Sequence, residues 1–327
     1  MTMPPTLTVT VDATLAGKTL AAILRGHLPD HSWKQIHRLI EKRRLRVAGE
    51  LWTDPARRMK EGDLIEVLAQ SIKAPRQAEQ VKIRFLDAHV VVVEKPSGIS
   101  TVRHPSEVHW PAERKALSPT LQDIVPRLIA ARSAAAPSQR HRGPLPRLRI
   151  VHRIDKETSG LVVFARTATA EANLGLQFRK HTVIRRYFAI VPGRMKAESI
   201  TSRLVRDRGD GRRGSTSNPT LGKVATTHVE VAELLPRHTI LSCRLETGRT
   251  HQIRIHFAER GHPICGEKVY NRTPGQEAVP DKSGAPRLAL HAAELGFEHP
   301  VTSQDIHWTM PLPEDLTRFI EHLRQRP

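Results

Sequence analysis

Cysteine is nearly missing from this chain of 327 residues, which holds only Cys243 and Cys265. Two such residues cannot build a disulfide framework or a four-cysteine zinc site, and their scarcity fits a reducing compartment. Aromatic residues make up 4% of the chain, with two tyrosines among them. No run approaches the ~18 apolar residues of a membrane span, and Met1 to Val11 lack the basic-then-apolar order of a secretory signal, so a cytoplasmic protein is expected. Acid is also short, since 33 Asp and Glu stand against 52 Lys and Arg for a formal net charge of +19. That excess serves solubility, and it also favours a polyanion as partner. Neither a G-x-x-x-x-G-K-[ST] phosphate loop nor a G-x-S-x-G nucleophile elbow occurs. The pattern G-x-G-x-x-G does occur, at Gly209, Gly211 and Gly214, but charged loop flanks it where a dinucleotide site needs a buried strand and a helix. No nucleotide cofactor is expected. Of the 18 histidines, His251, His256 and His262 lie closest together. Five apart on a helix, His251 and His256 diverge by about 140°, and no carboxylate completes a ligand set, so no metal is expected.

What is present falls into unequal parts. From Gly17 to Leu68, Leu20, Ile23 and Leu24, then Ile36, Leu39 and Ile40, recur at helical spacing and predict two short helices. Residues 45–50 alternate up to a turn at Gly49, and 63–69 read as the returning strand. Lys34, Arg38, Lys42, Arg43, Arg44 and Arg46 face a single acid, Glu41, over the second helix and its exit. A solvated helix face accounts for such a run, yet its one-sided sign also suits phosphate. Residues 73–81, with Lys73, Pro75 and Arg76, read as a linker. A proline-rich excursion is expected over 103–149, with one helix from Leu121 to Arg132. A loop over 203–223, rich in Arg and Gly, is expected to stay mobile until an anion orders it.

Residues 149–166, RIVHRIDKETSGLVVFAR, begin and end as buried strands but crowd Arg153, Asp155, Lys156 and Glu157 between them. A surface hairpin with an ordinary salt bridge would explain this. A buried Asp, by contrast, costs several kcal/mol unless paired. Residues 245–271 read as a turn at Gly248, a helix capped by Thr250 and ended by Gly261, and a crowd of donors, Arg249, His251, Gln252 and Arg254, near the helix start. Anions are favoured there, and an aspartate kept ionised beside RNA would need such an arginine.

Together these segments closely resemble the RluA-type pseudouridine synthases, whose signature H-R-[LI]-D-x-x-T-S-G is met at His152 to Gly160 and G-R-[TS]-H-Q-[LI]-R-x-H at Gly248 to His256. Further matches follow in order: VVVVEKPSGI at 90–99, RRYFAIVPG at 185–193, ATTHVEV at 225–231, GHPICGEKVYN at 261–271 and LALHAAELGFEHP at 288–300. The segment before residue 72 resembles the S4 RNA-binding domain. It departs from that pattern at Thr19, Leu20 and Ala21, where members usually carry Arg-Leu-Asp.

The resemblance implies an α+β protein: an S4-like domain over 1–72, a linker over 73–81 and a mixed-sheet pseudouridine synthase domain over 82–327. It implies isomerisation of uridine in RNA without a cofactor, by breaking N1–C1′, turning the base and rejoining it through C5. Asp155 would be the catalytic aspartate, acting at ribose C1′, at uracil C6 or as a base that forms a glycal. Arg254 would pair with it, and Tyr187 would stack on the base and remove the C5 proton, unless it is simply a core aromatic. Arg153, with His152 beside it, would enter the RNA helix in place of the flipped nucleotide, since a duplex base cannot reach a buried carboxylate. Lys34, Arg38, Lys42 and Arg43 would hold RNA backbone. Arg249 and His251 are expected to order the helix start. The expected partner is 23S ribosomal RNA, bound by a monomer. Transfer RNA is the rival substrate of the same class, and a non-catalytic ribosome-assembly protein or a metal-dependent hydrolase are the rivals from other classes.

Overall fold

A computed structural model describes residues 5–42, 44–48, 50–52, 55–70, 80–133, 144–271 and 279–325. The linker residues 73–79, Gly49 and Arg43 thus lie outside the described residues. The chain divides into two compact units, Met1–Arg76 with Ser106–Ser118, and Gln77–Pro105 with Pro119–Pro327. Part of the proline-rich excursion, expected in the larger domain, therefore groups with the smaller unit.

The smaller unit contains β1 (Pro5–Thr10), α1 (Leu20–His27), α2 (Trp33–Glu41), β2 (Leu45–Val47), β3 (Glu50–Leu51), β4 (Leu64–Leu68) and α3 (Ala112–Leu117). Its strands form an antiparallel sheet in the order β1-β4-β2-β3. Helices α1 and α2 start where the sequence supplies a cap: Thr19 accepts from the Ala22 N–H, and Ser32 and Gln35 form a reciprocal capping box. Leu20, Ile23, Leu24, Ile36 and Ile40 close the core against Val9, Val47, Ile65 and Val67. Ala21 is buried in the same core and Thr19 does the capping, so α1 is complete without an aspartate at its start. Strand β1 and helix α3 were not foreseen. On α2 and its exit, Lys34, Arg38 and Lys42 are all exposed.

The larger unit holds β5 (Lys82–Leu86), β6 (Val90–Lys95), α4 (Leu121–Ser133), β7 (Arg149–Ile150), β8 (Ser159–Ala165), α5 (Ala168–Lys180), β9 (Ile184–Pro192), β10 (Glu198–Val205), β11 (Gly214–Thr216), β12 (Lys223–Leu234), β13 (His238–Leu245), α6 (Gln252–Glu259), β14 (Leu290–Glu298), β15 (Asp305–Thr309) and α7 (Glu314–Gln325). Its 11-stranded sheet runs β11-β10-β12-β13-β9-β14-β8-β6-β5, with β15 joined to β14 and β7 to β8. Among the described residues every pairing of this sheet is antiparallel except β14 with β8. The apolar runs of β6 and β8 are continuous because both faces are covered. Val91, Val93, Val162 and Phe164 enter one core, while Val90, Val92, Leu161 and Val163 enter another that includes Ala170 and Leu174 of α5. Among the described residues no helix is long and apolar enough to cross a membrane.

Two expectations need correction. Ile150 is exposed and β7 is only two residues long, so the strand before Asp155 is a short edge rather than a buried element. The stretch over 203–223 is not structureless either. It closes a hairpin of β10 and β11 in which Asp207 accepts from the Gly209 and Gly211 N–H groups and Asp210 pairs with Arg208. Those two aspartates satisfy turn backbone that the many arginines could not, and Gly209 and Gly211 supply its positive φ angles.

Candidate active site

Asp155 lies in the connection that leaves β7 and enters β8, beside the one parallel pairing of the sheet. The segment just after β6 holds that connection from below. The Lys95 ammonium, fully buried, donates to the carbonyls of Pro96, Ile99 and Lys156 at 3.0, 2.7 and 2.9 Å. Burial pushes its pKa down to about 7, against the pull of Glu157 and Asp155. Ser97 donates to the Glu157 carbonyl, Thr101 to that of Ile154, and the Gly98 N–H to that of Lys156. Four donors from 95–101 thus fix the backbone on both sides of Asp155. The next residues lock β8 to β14: Ser159 Oγ meets His291 Nδ1 at 2.9 Å, and Gly160, at φ 130°, passes so close that a Cβ would stand 2.2 Å from the Ala292 carbonyl oxygen.

Opposite Asp155 stands α6, the helix of the second motif. It is polar in composition but Gln252 through Phe257 are all buried. Thr250 does not cap it. The residue at the N-cap is His251, in the left-handed region at φ 59° and without a capping bond, while the Gln252 side chain turns back to accept from the Arg249 N–H and the Thr247 hydroxyl. Arg254 points its guanidinium at both carboxylates of the site. Nη1 is 3.5 Å from Asp155 Oδ2, and Nε and Nη2 grip Glu267 at 2.7 and 2.6 Å. Burial opposes the charge on Arg254, but Glu267 first and Asp155 second outweigh it and keep the group protonated. Glu267, almost wholly buried, also accepts from the N–H groups of Lys268, Val269 and Tyr270, and these with Arg254 hold it ionised despite burial. A planar fork saturated on two sides by one carboxylate can present only its remaining edge to the other.

Asp155, His251, Gln252 and Arg254 line a pocket of about 620 Å³. Tyr187, on β9 between Cys243 of β13 and Ala292 of β14, forms part of its wall. Burial raises the Tyr187 pKa, opposed by Arg185. Arg153 stands exposed at the rim. His152 is occupied otherwise than expected. Its Nε2 accepts from the Val163 N–H at 3.0 Å, its ring stacks on Phe178, and burial pushes its pKa down to about 3. It is a neutral strut of β8 with no charge to offer phosphate. The structure therefore brings Asp155, Tyr187, Arg254 and Arg153 together and gives His152 a packing role.

Four further groups escaped the sequence reading of this site: Glu267, Tyr270, Lys95 and Arg185. All four lay inside the matched motifs, Glu267 and Tyr270 in GHPICGEKVYN, Lys95 in VVVVEKPSGI and Arg185 in RRYFAIVPG, and a lone acid or lysine was the available signal for Glu267 and Lys95. Arg185, two residues before Tyr187, reaches the Leu245 and Glu246 carbonyls. Among the described residues no cluster of three or more His, Cys, Asp or Glu could hold a metal ion. His251 and His256 meet different partners, Tyr270 for the one and Thr227 with Ser202 for the other.

Residues 89–259 match the family model described as RNA pseudouridylate synthase. Three proteins called ribosomal large subunit pseudouridine synthase D are similar over nearly the full chain. That of Nitrosomonas europaea is 34% identical, covering 98% of this chain and 89% of its own length. Those of Zymomonas mobilis and Vibrio cholerae are each 33% identical, covering 98% of this chain and 98% and 95% of theirs. Two solved structures share the fold. Human RNA Pseudouridylate Synthase Domain Containing 4 has a TM-score of 0.57 at 20% identity, over 76% of this chain and 95% of that one. Human RNA Pseudouridylate Synthase Domain Containing 1 has a TM-score of 0.52 at 22% identity, over 77% and 98%. With a match across more than half its length and relatives alike from end to end, this chain belongs to the RNA pseudouridylate synthases, a family of isomerases.

Proposed function

We propose that the protein converts uridine to pseudouridine in large-subunit ribosomal RNA, with Asp155 as the group that acts on the nucleotide. The arrangement that carries this reading is the Asp155 carboxylate on a fixed loop, 3.5 Å from an Arg254 whose own position is set by Glu267. Such a carboxylate has a fixed cation beside it that needs no movement as the reaction proceeds. The substrate follows from the three relatives, named for the large ribosomal subunit and alike over the whole chain. The net charge of +19 suits a large folded RNA.

In this reading the target uridine leaves its stack, Arg153 fills the gap, and Tyr187 lies against the uracil. The N1–C1′ bond breaks with its electron pair on uracil, the base turns, and C5–C1′ forms. C5 then loses its proton, for which Tyr187 is the phenol lining the pocket, and N1 gains one, so the formula is unchanged. No cofactor is called for by this balance. The smaller unit, read as an S4-like domain, contributes Lys34, Arg38 and Lys42 to the RNA backbone, and a monomer in the cytoplasm suffices.

Carbodiimide mapping of pseudouridine in total RNA, from cells with and without the gene, tests this. Loss of one or more sites in large-subunit RNA, restored by the wild-type gene and not by Asp155→Asn, is the expected result. Loss confined to transfer RNA would replace the substrate. An unchanged map would refute the reading.

A further inference from the structure

His251 has three properties that a helix-starting residue does not need. Its backbone is left-handed although it is neither glycine nor asparagine, and its side chain caps nothing. Non-glycine residues are rarely held in that region and cluster where a side chain must be aimed. Its Nδ1 is 2.7 Å from the Tyr270 hydroxyl. Its Nε2, on the other edge, looks into the pocket 3.9 Å from Asp155 Oδ1, too far for a hydrogen bond.

The tautomer follows from Tyr270. That phenol is buried, burial pushes its pKa up to about 12, and so it keeps its proton. Its hydroxyl lies 2.7 Å from His251 Nδ1, which then accepts. Burial lowers the His251 pKa, against the pull of Asp155, so the ring is neutral and its one N–H is at Nε2. Asp155 thus has Arg254 beside Oδ2 and, near Oδ1, a His251 N–H that faces the same pocket and has no hydrogen-bond partner among the described residues.

Whichever route breaks the glycosidic bond, negative charge builds on the uracil ring. If the base departs, the electron pair of N1–C1′ spreads from N1 to O2 and O4. If Asp155 adds to C6 first, the charge goes to C5 and O4. Arg254 is already committed to two carboxylates, so it has little left to give the base. We propose that His251, resting on the function read above, is a catalytic residue whose Nε2–H donates to the uracil as this charge develops, and that Tyr270 keeps the proton on that nitrogen.

The test uses large-subunit ribosomal RNA from cells lacking the gene, with single-turnover conversion and RNA affinity measured side by side for wild type and the Ala, Gln and Asn variants at position 251. A glutamine amide nitrogen can reach the place of Nε2, whereas an asparagine amide reaches only the place of Nδ1. Asparagine is nevertheless the better residue for a left-handed backbone and a helix start. The proposal expects His251→Ala and His251→Asn to convert RNA about a hundredfold more slowly. Their Kd should stay within about twofold of wild type, and His251→Gln should recover at least about tenfold over Ala. Full activity of His251→Ala, recovery by Asn as good as by Gln, or no recovery by Gln would overturn it. Wild-type conversion abolished by Asp155→Asn shows that the function itself stands, so failure of the His251 series then counts against this inference alone. If wild type converts nothing, both fall.

Discussion

The basic residues of α2 and those around α6 look alike in the sequence and do opposite work in the molecule. On α2 and its exit, Lys34, Arg38 and Lys42 are exposed and have no acidic partner among the described residues. Around α6, Arg254 is buried, gripped by Glu267 and turned to Asp155. An exposed ammonium acts through a screened field, so its effect is small and salt-dependent. A buried guanidinium acts through geometry and has no water to replace a lost partner. Under the proposed function, exposed charge would attract RNA and buried charge would hold the chemistry.

The largest effect is expected from breaking the buried side. Glu267→Gln leaves Arg254 without its grip and should cost about 3–5 kcal/mol of stability, with single-turnover conversion down by about 10²–10³ because the donor beside Asp155 is no longer fixed. Thermal melting and rate assays on the same preparation separate the two losses. Tyr187→Phe keeps the ring and removes the hydroxyl, so RNA affinity should hold while conversion falls by about 10²-fold or more. An equal loss of affinity and rate would make Tyr187 a binding residue only.

Acid should weaken the larger unit in a predictable way. His256 and His291 are buried, and burial pushes each pKa from an ordinary 6.5 down to about 4. Below pH 6.5 the unfolded chain binds protons that the folded one does not, so stability is full above that pH and is lost as pH falls toward 4, by on the order of 1 kcal/mol per pH unit for each histidine. Urea melts at pH 7.5 and 5.0 should show the fall, and His291→Gln should flatten it. The smallest effect belongs to α2. Replacing Lys34, Arg38 and Lys42 together by Ala should reduce the slope of log affinity against log salt by up to about one per side chain, with the conversion rate of bound enzyme unchanged. A rate loss there would erase the contrast between the two regions.

Much of this was legible because the motifs pack chemistry into short runs. Asp155, Arg254 and Tyr187 could be named from HRIDKETSG, GRTHQIRIH and RRYFAIV, and they meet in one pocket. α1 and α2 follow from apolar spacing and start at caps that are local in the chain. Glu267 could not be assigned because its partner lies thirteen residues away across a turn, and a single acid in a loop carries no periodic signal. Lys95 reads as the polar end of a valine strand until the carbonyl of Lys156, 61 residues on, comes to meet it. His251 was expected to start the helix, and it does occupy the N-cap, but its backbone sign and the Tyr270 contact appear only in three dimensions. The Arg- and Gly-rich hairpin was misjudged because composition counts its arginines and not the two aspartates that close its turn.

The most direct measurement of the central claim is pseudouridine formation by Asp155→Asn, which keeps the side chain's shape while removing its charge and one acceptor oxygen. The account predicts that this variant binds large-subunit ribosomal RNA as wild type does, melts within a few degrees of it, and makes at least about 10⁴-fold less pseudouridine per turnover time. Conversion at the wild-type rate would contradict it.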